Sequence, residues 1–190
     1  MNTRLYARLI VGCGNSPFSY EMYLNGYTNI TSIDYSTNVI DAMRKKYTDV
    51  SEEFKWVCAD MTDLKDEEFP TNSFACVIDK AAMDALMSEE GDVWNPNQSV
   101  VDSCRKMCAG ISRILKEGGF HIHISFAQPH FRSKYLLGQH PPSEEVPRIN
   151  KIHDENCEFA WDLKVEKIGG DDSSGCFHHF MYIMQKKAIL

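Results

Sequence analysis

The chain has 190 residues, 43% apolar and 25% charged, an ordinary globular composition that predicts one packed domain over residues 1–190. Its 27 acidic and 20 basic residues give a formal charge of −7, which disfavours nonspecific binding to nucleic acid or to anionic membrane, because phosphates demand a basic face. Seven cysteines, an odd number with no C-x-x-C pair, and the lack of a signal peptide or long apolar run predict a soluble, intracellular, cytoplasmic chain without metal.

The first apolar run, Leu5 to Val11, enters a turn with two closely spaced glycines, Gly12-Cys13-Gly14-Asn15-Ser16. Phe18 to Asn25 reads as a short helix stopped by Gly26, with Pro17 suited to its first turn. Asn29 to Asp34 is a second strand, and Asp34 stands twenty residues beyond Gly14. Ser36 is a candidate N-cap for a helix whose apolar residues Val39, Ile40, Met43 and Tyr47 fall at helical spacing. Phe54 to Cys58 is a third strand ending at Ala59-Asp60-Met61, and Phe74 to Ile78 a fourth, closed by Asp79-Lys80. One or two helical turns are predicted over Ala81 to Met87, followed by a loop containing Trp94.

The clearest helix carries Val100, Val101, Cys104, Met107, Cys108, Ile111, Ile114 and Leu115 on one stripe, with Lys116 in its last turn and Gly118-Gly119 as its stop. Phe120 to Phe126 is a fifth strand. Gln128 to Phe159 shows no clear period and reads as a long irregular stretch. Ala160 to Ile168 and Cys176 to Gln185 then flank a Gly-, Asp- and Ser-rich turn as a hairpin. The alternation predicts an α/β fold: a doubly wound, Rossmann-like, seven-stranded sheet, mostly parallel with an antiparallel C-terminal hairpin.

A glycine turn after a first strand, with a carboxylate after the second, is half of a nucleotide-binding unit. A dinucleotide site wants a third glycine, and Pro17 stands there instead. A carboxylate at Asp34 suits any adenosyl ribose; Asp60-Met61 after the third strand suits an adenine amino group.

Leu9 to Ser16, with Ser32 to Ser36, resembles motif I and the acidic post-motif of class I S-adenosylmethionine methyltransferases. Val77-Ile-Asp-Lys-Ala-Ala-Met-Asp-Ala-Leu86, Phe126 to Arg132 and Phe177 to Met184 resemble three further blocks of the methyltransferase-like enzymes that modify lysines of elongation factor 1-alpha. The resemblance implies S-adenosyl-L-methionine as cofactor, S-adenosyl-L-homocysteine as product, and a protein lysine as acceptor. It places Gly12, Cys13, Gly14 and Asn15 by the methionine part of the cofactor. Asp34 would take the ribose, Tyr35 would lie beside the adenine, and Asp60 and Met61 would read its edge. The group's Gly-Thr stands here as Ala81-Ala82, and its segment ahead of the first strand has only a few residues to match it, implying a truncated chain or a more open cofactor site.

Asp79 is the candidate catalytic or cofactor-contacting carboxylate; the alternative is that it caps the following helix. Lys80, His130, Phe131 and Tyr135 are candidate substrate contacts, because ligands of a parallel sheet bind at its carboxyl ends and an aromatic ring attracts an ammonium. His121 and His123 share one strand face and read as core or rim histidines. Beside lysine methylation stand a methyltransferase for a small molecule or another protein residue, and a cofactor-binding pseudo-enzyme.

Overall fold

In the computed structural model of the chain, residues 6–92, 95–138, 157–169 and 178–188 are described. The expected start of the first strand at Leu5, the loop residue Trp94, most of the irregular stretch and the turn of the hairpin lie outside them.

The apolar run Arg8–Val11 forms β1, buried at every position because it has a strand on either side and helices over both faces. The chain continues through α1 (Phe18–Leu24), β2 (Ile30–Asp34), α2 (Thr37–Lys46), β3 (Lys55–Cys58), β4 (Phe74–Lys80), α3 (Ala82–Leu86), α4 (Gln98–Ile114), β5 (Leu115–Ser125), α5 (Pro129–Leu137), β6 (Trp161–Ile168) and β7 (His179–Lys186). A short 3-10 turn, Met87–Glu89, and a two-residue ribbon separate α3 from α4. The seven strands are ordered β3-β2-β1-β4-β5-β7-β6. β1 to β5 are mutually parallel, and β7 is antiparallel to both of its neighbours. Strand order reverses between β1 and β4, so a crevice is expected at their carboxyl ends.

Successive residues of β1 feed two cores. Leu9 and Val11 join Val77 and the α4 stripe on one face, while Ile10 joins Ile40, Met43 and Trp56 on the other. On α4 the buried residues Val100, Cys104, Met107, Cys108, Ile111 and Ile114 are the expected stripe. Its end differs from expectation. The helix stops at Ile114, and Gly118-Gly119 instead lie in a bulge, where Phe74 pairs with Leu115 but Cys76 pairs with Phe120. A Cβ on Gly119 would sit 2.8 Å from the Lys116 carbonyl oxygen and 3.0 Å from that of Ala75, so the bulge admits no side chain there.

A second difference is α5, in a stretch expected to be irregular. Pro129 opens it and Gly138, at φ +73, closes it. Arg132, Ser133, Tyr135, Leu136 and Leu137 are all buried, so the helix is covered on more than one side and shows no clean apolar stripe.

The turn into α3 carries backbone strain. Ala81 adopts φ +64, a left-handed conformation that costs a residue with a Cβ about 1–2 kcal/mol. Glycine would remove that strain at an unfolded-state cost of roughly 0.5–1 kcal/mol. Ala81→Gly is therefore expected to raise the melting temperature by a few degrees in a thermal scan; a lowered value would show that the turn tolerates the methyl without strain.

Candidate active site

At the carboxyl ends of β1 to β4 the structure opens a cavity of about 580 Å³, within the usual size of a small-molecule site. Gly12, Asp34, Tyr35, Asp60 and Met61 line it, five of the residues assigned to a cofactor from the sequence. They arrive there because each ends a strand or starts the following loop. Ala81, Ala82, Ala85 and Leu86 of the α3 region form an apolar wall, and Ser99, Val100 and Ser103 extend it along α4.

Asp34 is buried at 8% exposure and ties two loops together. Its Oδ2 accepts the Gly14 N–H at 2.9 Å and its Oδ1 accepts the Ser36 N–H at 3.0 Å. Each oxygen keeps a second lone pair for a ligand. Asp60 makes a local turn, with Oδ1 accepting both the Thr62 N–H and hydroxyl at 2.8 Å. Tyr35 is 83% exposed, a flat apolar surface beside both carboxylates.

Glu89 brings the acidic side chains in the lining to three, and no lysine or arginine is among the described residues that line the cavity. A pyrophosphate-bearing dinucleotide would find no cationic partner there. A cationic ligand with a ribose and an adenine fits the donor and acceptor set.

Cys13 and Gly14 of the glycine turn are tied to the end of β2. The Cys13 N–H donates to the Ile33 carbonyl at 2.9 Å, and the Gly14 amide is engaged by Asp34. Cys13, Gly14 and exposed Asn15 do not line the cavity, so of this turn only Gly12 reaches it. Burial, aided by Asp34, pushes the Cys13 thiol up to about 12, and it stays protonated. A Cβ on Gly12 would lie 2.4 Å from the Ala82 Cβ, so glycine is what lets α3 pack directly against the turn.

Asp79 is fully buried and outside the cavity lining. Its carboxylate accepts the Ala82 N–H at 2.7 Å and the Met83 N–H at 3.3 Å, and stands 2.7 Å from His123 Nδ1. Burial alone would raise its pKa. The His123 ring, His121 and the Ala82 N–H together outweigh burial and hold the carboxyl below its ordinary range. The geometry is that of the helix cap named as the alternative above, with Asp79 positioning the start of α3. Asp34 and Asp79 thus do related work: one fastens the glycine turn, the other the helix packed on it.

The expected substrate contacts separate. Lys80 is exposed over the glycine turn, beside Gly12, Cys13 and Ser16, and is not in the lining of the first cavity. His130 is exposed, its ring centroid 3.8 Å from that of Phe131. Phe131 lines a second cavity, between α3 and the start of α5. Tyr135 is 2% exposed and no entrance residue; its hydroxyl donates to Glu90, which itself borders the second cavity. Two residues escaped the sequence reading although each stands in a quoted block. Asp84 Oδ1 lies 2.7 Å from Arg132 Nη2 and accepts the Ser125 hydroxyl at 2.7 Å.

His121 is fully buried, 5.6 Å from the Trp161 ring, and neither of its nitrogens has a partner. Burial lowers its pKa from 6.5 to about 3, despite the opposing pull of Asp79. Between these values the unfolded chain binds a proton that the folded chain refuses, so stability is lost as pH falls from about 6.5 towards 3. One such group contributes a slope of up to about 1.4 kcal/mol per pH unit. His121→Phe is expected to flatten urea-unfolding stability between pH 6 and pH 4 by roughly that slope; an unchanged profile would place the acid sensitivity elsewhere. Among the described residues no group of three or more metal-ligating side chains converges, and no helix is long and apolar enough to cross a membrane.

Comparison with known proteins gives a consistent picture. A family described as a methyltransferase domain matches residues 9–123. The chain is 34% identical over 182 residues to mouse EEF1A lysine methyltransferase 4, covering 96% of this chain and 61% of that protein. It is 35% identical over 144 residues to bovine eEF1A lysine and N-terminal methyltransferase, covering 76% of this chain and 19% of that protein. The chain thus spans about three fifths or less of these curated relatives. In fold it resembles a SAM-dependent methyltransferase from Methanosarcina mazei, with TM-score 0.64, 15% identity, and 98% and 95% of the two chains covered. It also resembles the N-methyltransferase NodS from Bradyrhizobium japonicum solved with S-adenosyl-L-homocysteine, with TM-score 0.61, 12% identity, and 96% and 79% covered.

Proposed function

Since the chain belongs to the methyltransferase domain family, we propose that it transfers a methyl group from S-adenosylmethionine to a protein lysine, with elongation factor 1-alpha as substrate. The observation that carries the cofactor assignment is the lining of the first cavity: three acidic side chains, an exposed tyrosine and an apolar wall, without a basic residue among those described. S-adenosylmethionine, when bound, supplies a methyl group already activated on a cationic sulfonium.

The chain's own residues bind and orient. Asp34 uses its remaining lone pairs on the ribose hydroxyls. Asp60 Oδ2 and the Met61 backbone meet the adenine edge, and Tyr35 covers its face. Glu89 adds negative charge that favours a cation. A lysine acceptor must shed its proton before it attacks, and desolvation in a largely apolar cleft lowers the amine's pKa in that direction. The acceptor assignment draws on the names of the relatives, and the net charge of −7 suits a basic partner surface.

The test is to incubate the chain with S-adenosylmethionine and purified elongation factor 1-alpha and to map added methyl groups by tandem mass spectrometry. Methylation of a lysine of that factor is expected. Methyl groups on another residue type, or cofactor binding without transfer, would contradict the proposal.

A further inference from the structure

The second cavity, of about 530 Å³, shares Ser88 of its lining with the first. Consecutive residues of α3 face the two spaces: Asp84 the second, Ala85 the first. Met87, Phe126 and Phe131 give the second cavity apolar walls. Its charged lining is Asp84, Glu90 and Arg132, two carboxylates against one guanidinium.

These charges are unevenly satisfied. Arg132 is 5% exposed, and its Nε and Nη1 atoms have no hydrogen-bond partner. The Asp84 side chain is 9% exposed; Oδ1 takes both the Arg132 guanidinium and the Ser125 hydroxyl, while Oδ2 takes none. Glu90 is held from behind by the Tyr135 hydroxyl, whose pKa is driven up by burial and then by Glu90, so it stays a donor. Buried polar atoms without partners are rare in folded proteins, and of these three only Asp84 Oδ2 is an acceptor, the kind a cation satisfies. Within the lining Arg132 takes Asp84, while the cation that acts on Glu90, Lys134, stands outside the lining. Two carboxylates against one guanidinium on apolar walls suit a cation on an apolar stem better than an anion.

We propose that this cavity admits the target lysine side chain: its methylenes lie against Met87, Phe126 and Phe131, and its ammonium is received by Asp84 and Glu90 on the side of the cavity next to the cofactor site, where the two share Ser88. The phenylalanine rings add cation–π attraction at the mouth, where Phe126 is 67% exposed. The inference rests on the lysine reading above and adds the residues that select the acceptor. Arg132 and Ser125 hold Asp84 in place.

The experiment uses the full chain saturated with S-adenosylhomocysteine and the probe N-acetyl-lysine methylamide, followed by amide NMR shifts. Shifts are expected at Ser88 and Phe131 with the lysine compound and not with its norleucine counterpart. Asp84→Asn and Glu90→Gln should each weaken probe binding about 10-fold or more, one buried charge contact being worth that much. Affinity for S-adenosylhomocysteine, read by calorimetry, should stay within about twofold. Asp84→Asn takes the charge partner from Arg132, so if that variant unfolds, Glu90→Gln decides alone. Equal binding of the norleucine compound, or undiminished probe binding in the folded variants, would overturn the inference. Lysine methylation that neither variant alters would overturn the cavity's role while leaving the function standing. Probe binding here, with methyl groups found on no lysine, would support the cavity and overturn the function.

Discussion

Asp34→Ala is expected to weaken binding of S-adenosylhomocysteine by at least about 100-fold in a calorimetric titration. A hydrogen bond to a charged group contributes about 1.5–3 kcal/mol, and the ribose offers two hydroxyls to this carboxylate, so the loss is on the order of 3–6 kcal/mol. Asp34 is also a tie within the fold, because its oxygens accept the Gly14 and Ser36 amides. Removing them leaves partly buried N–H groups unpaired, at about 1–3 kcal/mol each where water cannot reach. The variant should therefore be less stable as well as unable to hold the ligand. A thermal scan beside the titration separates the two effects. Lower stability with unchanged affinity would make Asp34 a scaffold residue and remove the ribose contact from the account.

Asp79→Ala is the second large effect, and it falls on stability. Asp79 and His123 are both fully buried and 2.7 Å apart. Breaking a buried pair by removing one partner costs about 3–5 kcal/mol, and the Ala82 and Met83 amides lose their cap in the same step. For a chain of this size that is on the order of 10 °C in melting temperature. Asp79→Asn keeps an acceptor for the helix amides and should fall between the two. Because the folded-state carboxyl is held below its ordinary range, its contribution is complete above the unfolded pKa near ~4 and is lost as pH falls through the lower folded value. A carboxylate acting directly on the lysine would behave differently: Asp79→Asn would then lose nearly all methyl transfer while keeping the melting temperature and ligand affinity of the parent. That result would contradict the structural role assigned to Asp79.

What the sequence made legible follows the range of the interactions concerned. The first strand, its glycine turn and Asp34 could be read together, because burial on both faces of a parallel sheet leaves a continuous apolar run and the strand–turn–helix–strand unit sets the spacing. The α4 stripe was equally clear, since one face of a long helix is buried and the other is not. Helix α5 was not, because its buried residues include an arginine, a serine and a tyrosine on several faces, although Pro129 and Gly138 marked both its ends. Gly118-Gly119 satisfied a helix stop and a bulge equally well, and only the pairing of β4 with β5 distinguishes them.

The site divided in the same way. Asp34, Tyr35, Asp60 and Met61 each follow a strand, and the fold carries such positions to one crevice. The Asp84–Arg132 pair joins residues 48 apart, in two helices, and no local period encodes it. Tyr135 has an apolar ring and a polar tip, and its sequence position alone did not reveal that the ring is in the core and the tip on Glu90.

The most direct measurement is amide hydrogen exchange, followed by mass spectrometry, with and without saturating S-adenosylhomocysteine. The account predicts slowed exchange in peptides covering Asp34 to Ser36, Ala59 to Met61 and Ala81 to Glu89, the segments around the acidic cavity. Slowed exchange confined to the opposite end of the strands, around Arg8 and Lys116 to Phe120, or no slowing anywhere, would contradict it.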